Sequence, residues 1–199
     1  MNLKLAMTAH AFQATPIFRS VSDTHSGAVL HTPAGDRRPV RIPLEVDNIW
    51  EWVRQPQFPS RRSCAFGSPS GTLAAASGPA DGRVCRVLIK PPAQVIQLRG
   101  IPDARGHPDL HALRAVLRAH EENASPERAD IGMLRTHFLS GEQTQALLAG
   151  HPDLMIDLKE SVRYWQDCFS WDTLNPETID SSGEIAFIAP HGYVLDPTT

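Results

Sequence analysis

Cysteine is scarce in this chain and unpaired: Cys64, Cys85 and Cys168 are its three. An odd number with no C-x-x-C spacing argues against a disulfide framework and against a structural zinc knuckle. Cys64 and Cys85 lie in apolar runs, where a cysteine is mostly a small hydrophobe. A long apolar run is missing too. No stretch approaches the ~20 residues that a membrane helix needs, so no membrane partner is expected. Residues 1–14 hold one lysine and a short apolar run broken by Thr8, His10 and Gln13, which speaks against a cleaved secretory signal. A cytoplasmic protein fits, and so does an effector exported without such a signal. Charge of one sign is also lacking. A net charge of −3 gives no general attraction to nucleic acid or anionic lipid. Arg37-Arg38 and Arg61-Arg62 are the only basic pairs, and two residues do not make a patch.

What remains is 199 residues with an ordinary globular balance, 41% hydrophobic and 21% charged. One domain is the default at this length. Residues 1–14 read as an N-terminal extension, a candidate for disorder, and 15–199 as the domain. Ile17 to Val21 is apolar and β-rich. Val40 to Ile42 reads as a short strand between prolines. From Asp47 to Val53 the spacing of Ile49, Trp50, Trp52 and Val53 fits a helix, with Asp47 or Asn48 as its cap. Cys64 to Phe66 is a short strand candidate. Thr72 to Ala76 favours a short helix ended by Ser77-Gly78-Pro79. Arg83 to Ile89 is the best strand, followed by Val95 to Leu98.

From His107 to about 169 the pattern turns helical. Leu110, Leu113, Val116 and Leu117 share one face. Ser140 to Gln143 has capping-box spacing. Leu154, Leu158, Val162 and Trp165 form another stripe. Gly-His-Pro-Asp-Leu occurs twice, at 106–110 and 150–154, and reads as two ordinary helix starts. His107 and His111 read as helix-surface histidines, since no third metal ligand is evident. Strands return at Glu184 to Ile188 and Tyr193 to Leu195. A last strand rejoining the N-terminal sheet would give an α+β fold.

Three short motifs carry the chemistry: Ile17-Phe18-Arg19-Ser20-Val21, then Cys64-Ala65-Phe66-Gly67-Ser68-Pro69-Ser70, then Gly183-Glu184-Ile185-Ala186-Phe187-Ile188. Cleavage of a nicotinamide–ribose bond needs a cation for pyrophosphate. It also needs a fixed carboxylate beside a ribose that turns cationic, and a small polar residue to hold that carboxylate. Arginine, serine and glutamate are the natural choices. Each residue also has a plainer reading: a surface ion pair for Arg19, a turn capping the alanine helix for Ser68 to Gly71, a strand-edge charge for Glu184. Arg61-Arg62 reads as a solvated loop, and Trp50, Trp52 and Phe58 as core.

The order and strand context of these motifs resemble the arginine–serine–glutamate, toxin- and effector-like branch of the ADP-ribosyltransferase superfamily. Tyr164-Trp165 looks like the aromatic helix such domains often carry before the glutamate strand. The resemblance implies a split β-sheet core with a helical segment, 107–169, inserted before the last strands. It implies NAD as substrate, catalytic Glu184, Ser68 and Arg19, and NAD contacts from Arg19, Ser20, Phe66, Ser68 and Ser70. His31, after Val29-Leu30, resembles the histidine strand of the diphtheria-toxin-like branch and is an alternative first motif. No metal is implied. Where arginine-modifying members carry a second acid, two positions before the glutamate, this chain has Ser182, with Asp180 two further upstream. An arginine acceptor is therefore in doubt. A protein acceptor is expected over nucleic acid. NAD hydrolysis with the same residues, or a non-enzymatic interaction module on the same fold, are the alternatives.

Overall fold

A computed structural model describes residues 13–22, 30–32, 35–122, 129–170 and 179–198. Most of the proposed N-terminal extension, residues 1–12, lies outside the described residues. Two antiparallel sheets carry the fold. The first joins β1 (Gln13–Val21), β3 (Arg83–Ile89) and β7 (Tyr193–Pro197) in the order β1-β3-β7. The second joins β2 (Ala65–Gly67), β4 (Gln94–Leu98), β5 (Cys168–Ser170) and β6 (Ile185–Ile188) in the order β2-β6-β4-β5. The architecture is mixed α+β, and the C-terminal strand does return to the sheet that holds β1. β1 pairs from Gln13, earlier than the apolar pattern marks it.

Alternation explains β3: Cys85, Val87 and Ile89 point inward and their neighbours do not. Those three meet Ile17, Ile185, Phe187 and Leu195 in one core. A second, larger core lies under the helices. It is built on α1 (Leu44–Trp52), α3 (Asp109–Glu122), α5 (Gly141–Leu148) and α6 (Pro152–Ser161), against Ile96, Leu98 and Ala186 of the four-stranded sheet. Trp50 and Phe58 are core residues, with Trp52 packed against them. All three cysteines are free and buried. Burial pushes the Cys64 and Cys168 thiols up to about 12, which leaves them poor nucleophiles.

Several local expectations change. Residues 40–42 form a bend, because Pro39 and Pro43 remove the amides a ladder would need. Asp47 and Asn48 do not cap α1, which starts after Pro43; they lie inside it, buried. The stripe from Leu154 to Trp165 is two helices, because the chain extends at Val162 before α7 (Tyr164–Asp167) begins. Asp109 makes that break possible. Its carboxylate accepts the amides of Arg163 and Tyr164 and the indole of Trp50, tying three helices together. His107 is buried rather than on a helix surface. Its ring touches the rings of Trp50 and Tyr164 edge-on, and its Nε2 reaches Asp167 at 3.2 Å. His111 is exposed. Both Gly-His-Pro-Asp-Leu copies start helices, α3 and α6. The capping box at Ser140 and Gln143 is present on α5.

Candidate functional site

Beyond their shared core, a backbone bridge joins the two sheets. The backbones of Phe18 in β1 and Ser68 after β2 exchange two hydrogen bonds of 2.8 Å. Gly67 makes this approach possible: a Cβ there would sit 2.9 Å from the Phe18 carbonyl oxygen. Gly183 plays the same part for β6. A Cβ there would meet the Leu98 carbonyl oxygen at 1.8 Å, which no side chain could survive. The bare backbone lets the Glu184 amide donate to the Ile101 carbonyl at 2.8 Å while its own carbonyl accepts from Leu98 at 2.9 Å.

A cavity of about 360 Å³ opens beside this junction. Arg19, Ser20, Phe66, Ser68 and Glu184 all line it, although they come from opposite ends of the chain. Ser70 and His31 do not line it. Ser70 caps the helix α2 (Gly71–Ser77), accepting from the Leu73 amide at 3.3 Å. His31 bridges the backbone of Tyr193 and stacks on its ring at 5.1 Å. Between the two first-motif candidates, Arg19 is the one at the cavity; its guanidinium donates to the Tyr193 hydroxyl at 2.8 Å.

Glu184 is mostly enclosed, with its side chain 11% exposed, and is not an edge charge. One carboxylate oxygen accepts from Arg61 at 3.1 Å, the other from the Ala104 amide at 3.3 Å. Burial raises its pKa above the usual glutamate value, while Arg61 and the Ala104 amide pull it back. No hydrogen bond joins Ser68 to Glu184 among the described residues, so the holding role expected of Ser68 falls to Arg61. That arginine also donates to the Tyr164 hydroxyl at 3.2 Å, and its guanidinium lies 4.4 Å over the Phe66 ring. Burial works against its charge, but Tyr164 and Glu184 hold its pKa above the usual arginine value.

Arg61 and Arg62 are therefore not a solvated loop. Arg62 is 4% exposed. It donates to Asp47 at 2.8 Å and to the Asn48 side-chain oxygen at 2.9 Å, beneath the cavity. Asn48 is fully used as well, donating to the Leu134 and His137 carbonyls. A second acid at the wall, Asp103, is clasped by Arg105; burial tends to raise its pKa, but Arg105 brings it below the usual range. Asp180 does not line the cavity; its carboxylate accepts from Ser182 and from the Gly100 amide in the turn after β4. Among the described residues, no group of three or more His, Cys, Asp or Glu side chains could hold a metal ion, and no helix is long and apolar enough to cross a membrane.

No protein-family model matches this chain, and no curated protein or solved structure matches it.

Proposed function

We propose that this protein is an NAD-consuming mono-ADP-ribosyltransferase of toxin, effector or defence type, with an ADP-ribosyltransferase-like split-sheet core. The observation that carries the reading is one cavity at the junction of two sheets, lined by Arg19, Ser68 and Glu184. In the proposed reaction the bond between nicotinamide nitrogen and ribose carbon breaks, and its electron pair leaves with nicotinamide. The ribosyl carbon becomes cationic, and the Glu184 carboxylate stabilises it. Arg61 and the Ala104 amide fix that carboxylate in advance, so little reorganisation is needed as charge develops. Arg19 holds pyrophosphate, and Phe66 and Ser68 border the space for the nicotinamide riboside. A nucleophile on a protein acceptor then attacks the carbon and loses its proton.

Hydrolysis of NAD by the same residues has one observation in its favour. No acid stands at position 182, and Ser182 and Asp180 are bonded to each other, so neither is directed to an acceptor. The test is nicotinamide release from NAD, with and without candidate acceptor proteins. Release that requires Glu184 supports the reading. A folded protein that binds NAD but releases nothing refutes it.

A further inference from the structure

The cavity wall carries more positive charge than its own acids neutralise. Its three acids are each matched: Asp47 by Arg62, Asp103 by Arg105, Glu184 by Arg61. Four further arginines line it, and among the described residues none has a carboxylate within 4.0 Å. Arg19 donates to the neutral Tyr193 hydroxyl. Arg37 donates to the Cys64 carbonyl, and Arg38 reaches the Thr136 carbonyl at 3.4 Å. Arg41 has no hydrogen-bond partner among the described residues. Arg37, Arg38 and Arg41 sit on a strap between Asp36 and Pro43. The strap is moored to the cavity floor by the Arg37 amide, which donates to the Arg62 carbonyl at 3.2 Å. Its tip, Val40, is 93% exposed.

A nicotinamide dinucleotide brings one negative charge on each phosphate of its pyrophosphate and one positive charge on its pyridinium ring. That neutralises only part of the wall. A phosphate monoester adds roughly −1.5 to −2 at pH 7, and exposed arginine forks suit its oxygens. We propose that the strap is a second phosphate site, and that the preferred substrate is the 2′-phosphorylated nicotinamide dinucleotide, NADP, rather than NAD. This inference rests on the proposed function, since it takes a nicotinamide dinucleotide as the ligand.

Calorimetry of the full chain with NADP, NAD and a short single-stranded RNA tests it, alongside the double variant Arg38→Ala/Arg41→Ala. Both arginines are exposed, so the variant leaves the core intact. NADP is expected to bind about tenfold more tightly than NAD or better, the scale of one added charge-assisted contact, and the double variant should abolish that preference. Equal or weaker NADP binding, or a preference that survives the double variant, overturns the inference. RNA binding that exceeds NADP binding and disappears in the variant also overturns it, because the strap would then serve a nucleic-acid partner. Nicotinamide release separates the two claims. Cleavage of NAD with no NADP preference defeats this inference and leaves the proposed function standing. A strap-dependent NADP preference without release from either dinucleotide keeps the phosphate site and defeats the proposed function.

Discussion

The floor of the cavity and its rim use the same residue type in opposite ways. On the floor, Arg61 and Arg62 are enclosed, and every guanidinium meets a carboxylate, an amide oxygen or a hydroxyl. On the rim, Arg38 and Arg41 are exposed and lack acidic partners among the described residues. A matched, buried arginine holds structure, because removing it strands its partner's charge. An unmatched, exposed one leaves its charge for a ligand. Floor substitutions should therefore read out in stability, and rim substitutions in binding.

The sharpest contrast is the largest expected effect. Arg62→Ala leaves Asp47 buried without its cation and should cost about 3–5 kcal/mol, seen as a lower urea midpoint. Arg41→Ala should stay within about 0.5 kcal/mol of the parent. Comparable losses for both would erase the distinction between floor and rim.

Glu184→Gln tests where floor structure becomes chemistry. The swap is nearly isosteric and keeps an oxygen for Arg61. Nicotinamide release should fall by roughly 10²–10³, or about 2.7–4 kcal/mol of transition-state stabilisation, with the melting curve little changed. Full activity in the folded variant would remove Glu184 from the mechanism.

Arg19 lies between the two behaviours, since its side-chain partner among the described residues, the Tyr193 hydroxyl, is neutral. Arg19→Ala should raise KM with kcat nearly unchanged, because a phosphate contact is made in ground and transition states alike. The size expected is about 1.5–3 kcal/mol in kcat/KM, as for a hydrogen bond to a charged group. An unchanged KM would take Arg19 out of the binding site.

Two finer readouts follow. In the proposed mechanism Glu184 acts in its ionised form, and burial raises its pKa above the ordinary glutamate value of 4.5. Activity should therefore climb with pH along an acid limb lying above that value, and a limb at or below it would mean that another group titrates. Agmatine should be a poor acceptor, because an arginine guanidinium is protonated at neutral pH and no acid at position 182 assists it. Robust labelling of agmatine from labelled NAD would show that another acid, such as Asp103, takes that part.

β3 and the capping box were legible because local rules agree there, whereas β5 was not, since Cys168 to Ser170 follows directly on a helical pattern. β3 alternates, and Ser140 and Gln143 stand at the spacing their hydrogen bonds need. Arg19, Ser68 and Glu184 were also readable, each beside a β-rich run, and Gly67 and Gly183 mark the two close backbone approaches that set the serine and the glutamate. The floor was not legible. Arg61 finds Tyr164 and Glu184 more than a hundred residues away, and nothing local to an Arg-Arg pair announces such partners. Asp109 was hidden the same way, since it caps a helix that begins at Tyr164. The missed bend at 40–42 was a local error: two prolines outweighed two apolar positions, Val40 and Ile42.

The most direct test of the central claim is a crystal structure of the protein soaked with NAD. The account predicts the nicotinamide riboside at the sheet junction, with a ribose hydroxyl hydrogen-bonded to Glu184 and the pyrophosphate against Arg19. A dinucleotide bound elsewhere, with Glu184 still held only by Arg61 and the Ala104 amide, would contradict it.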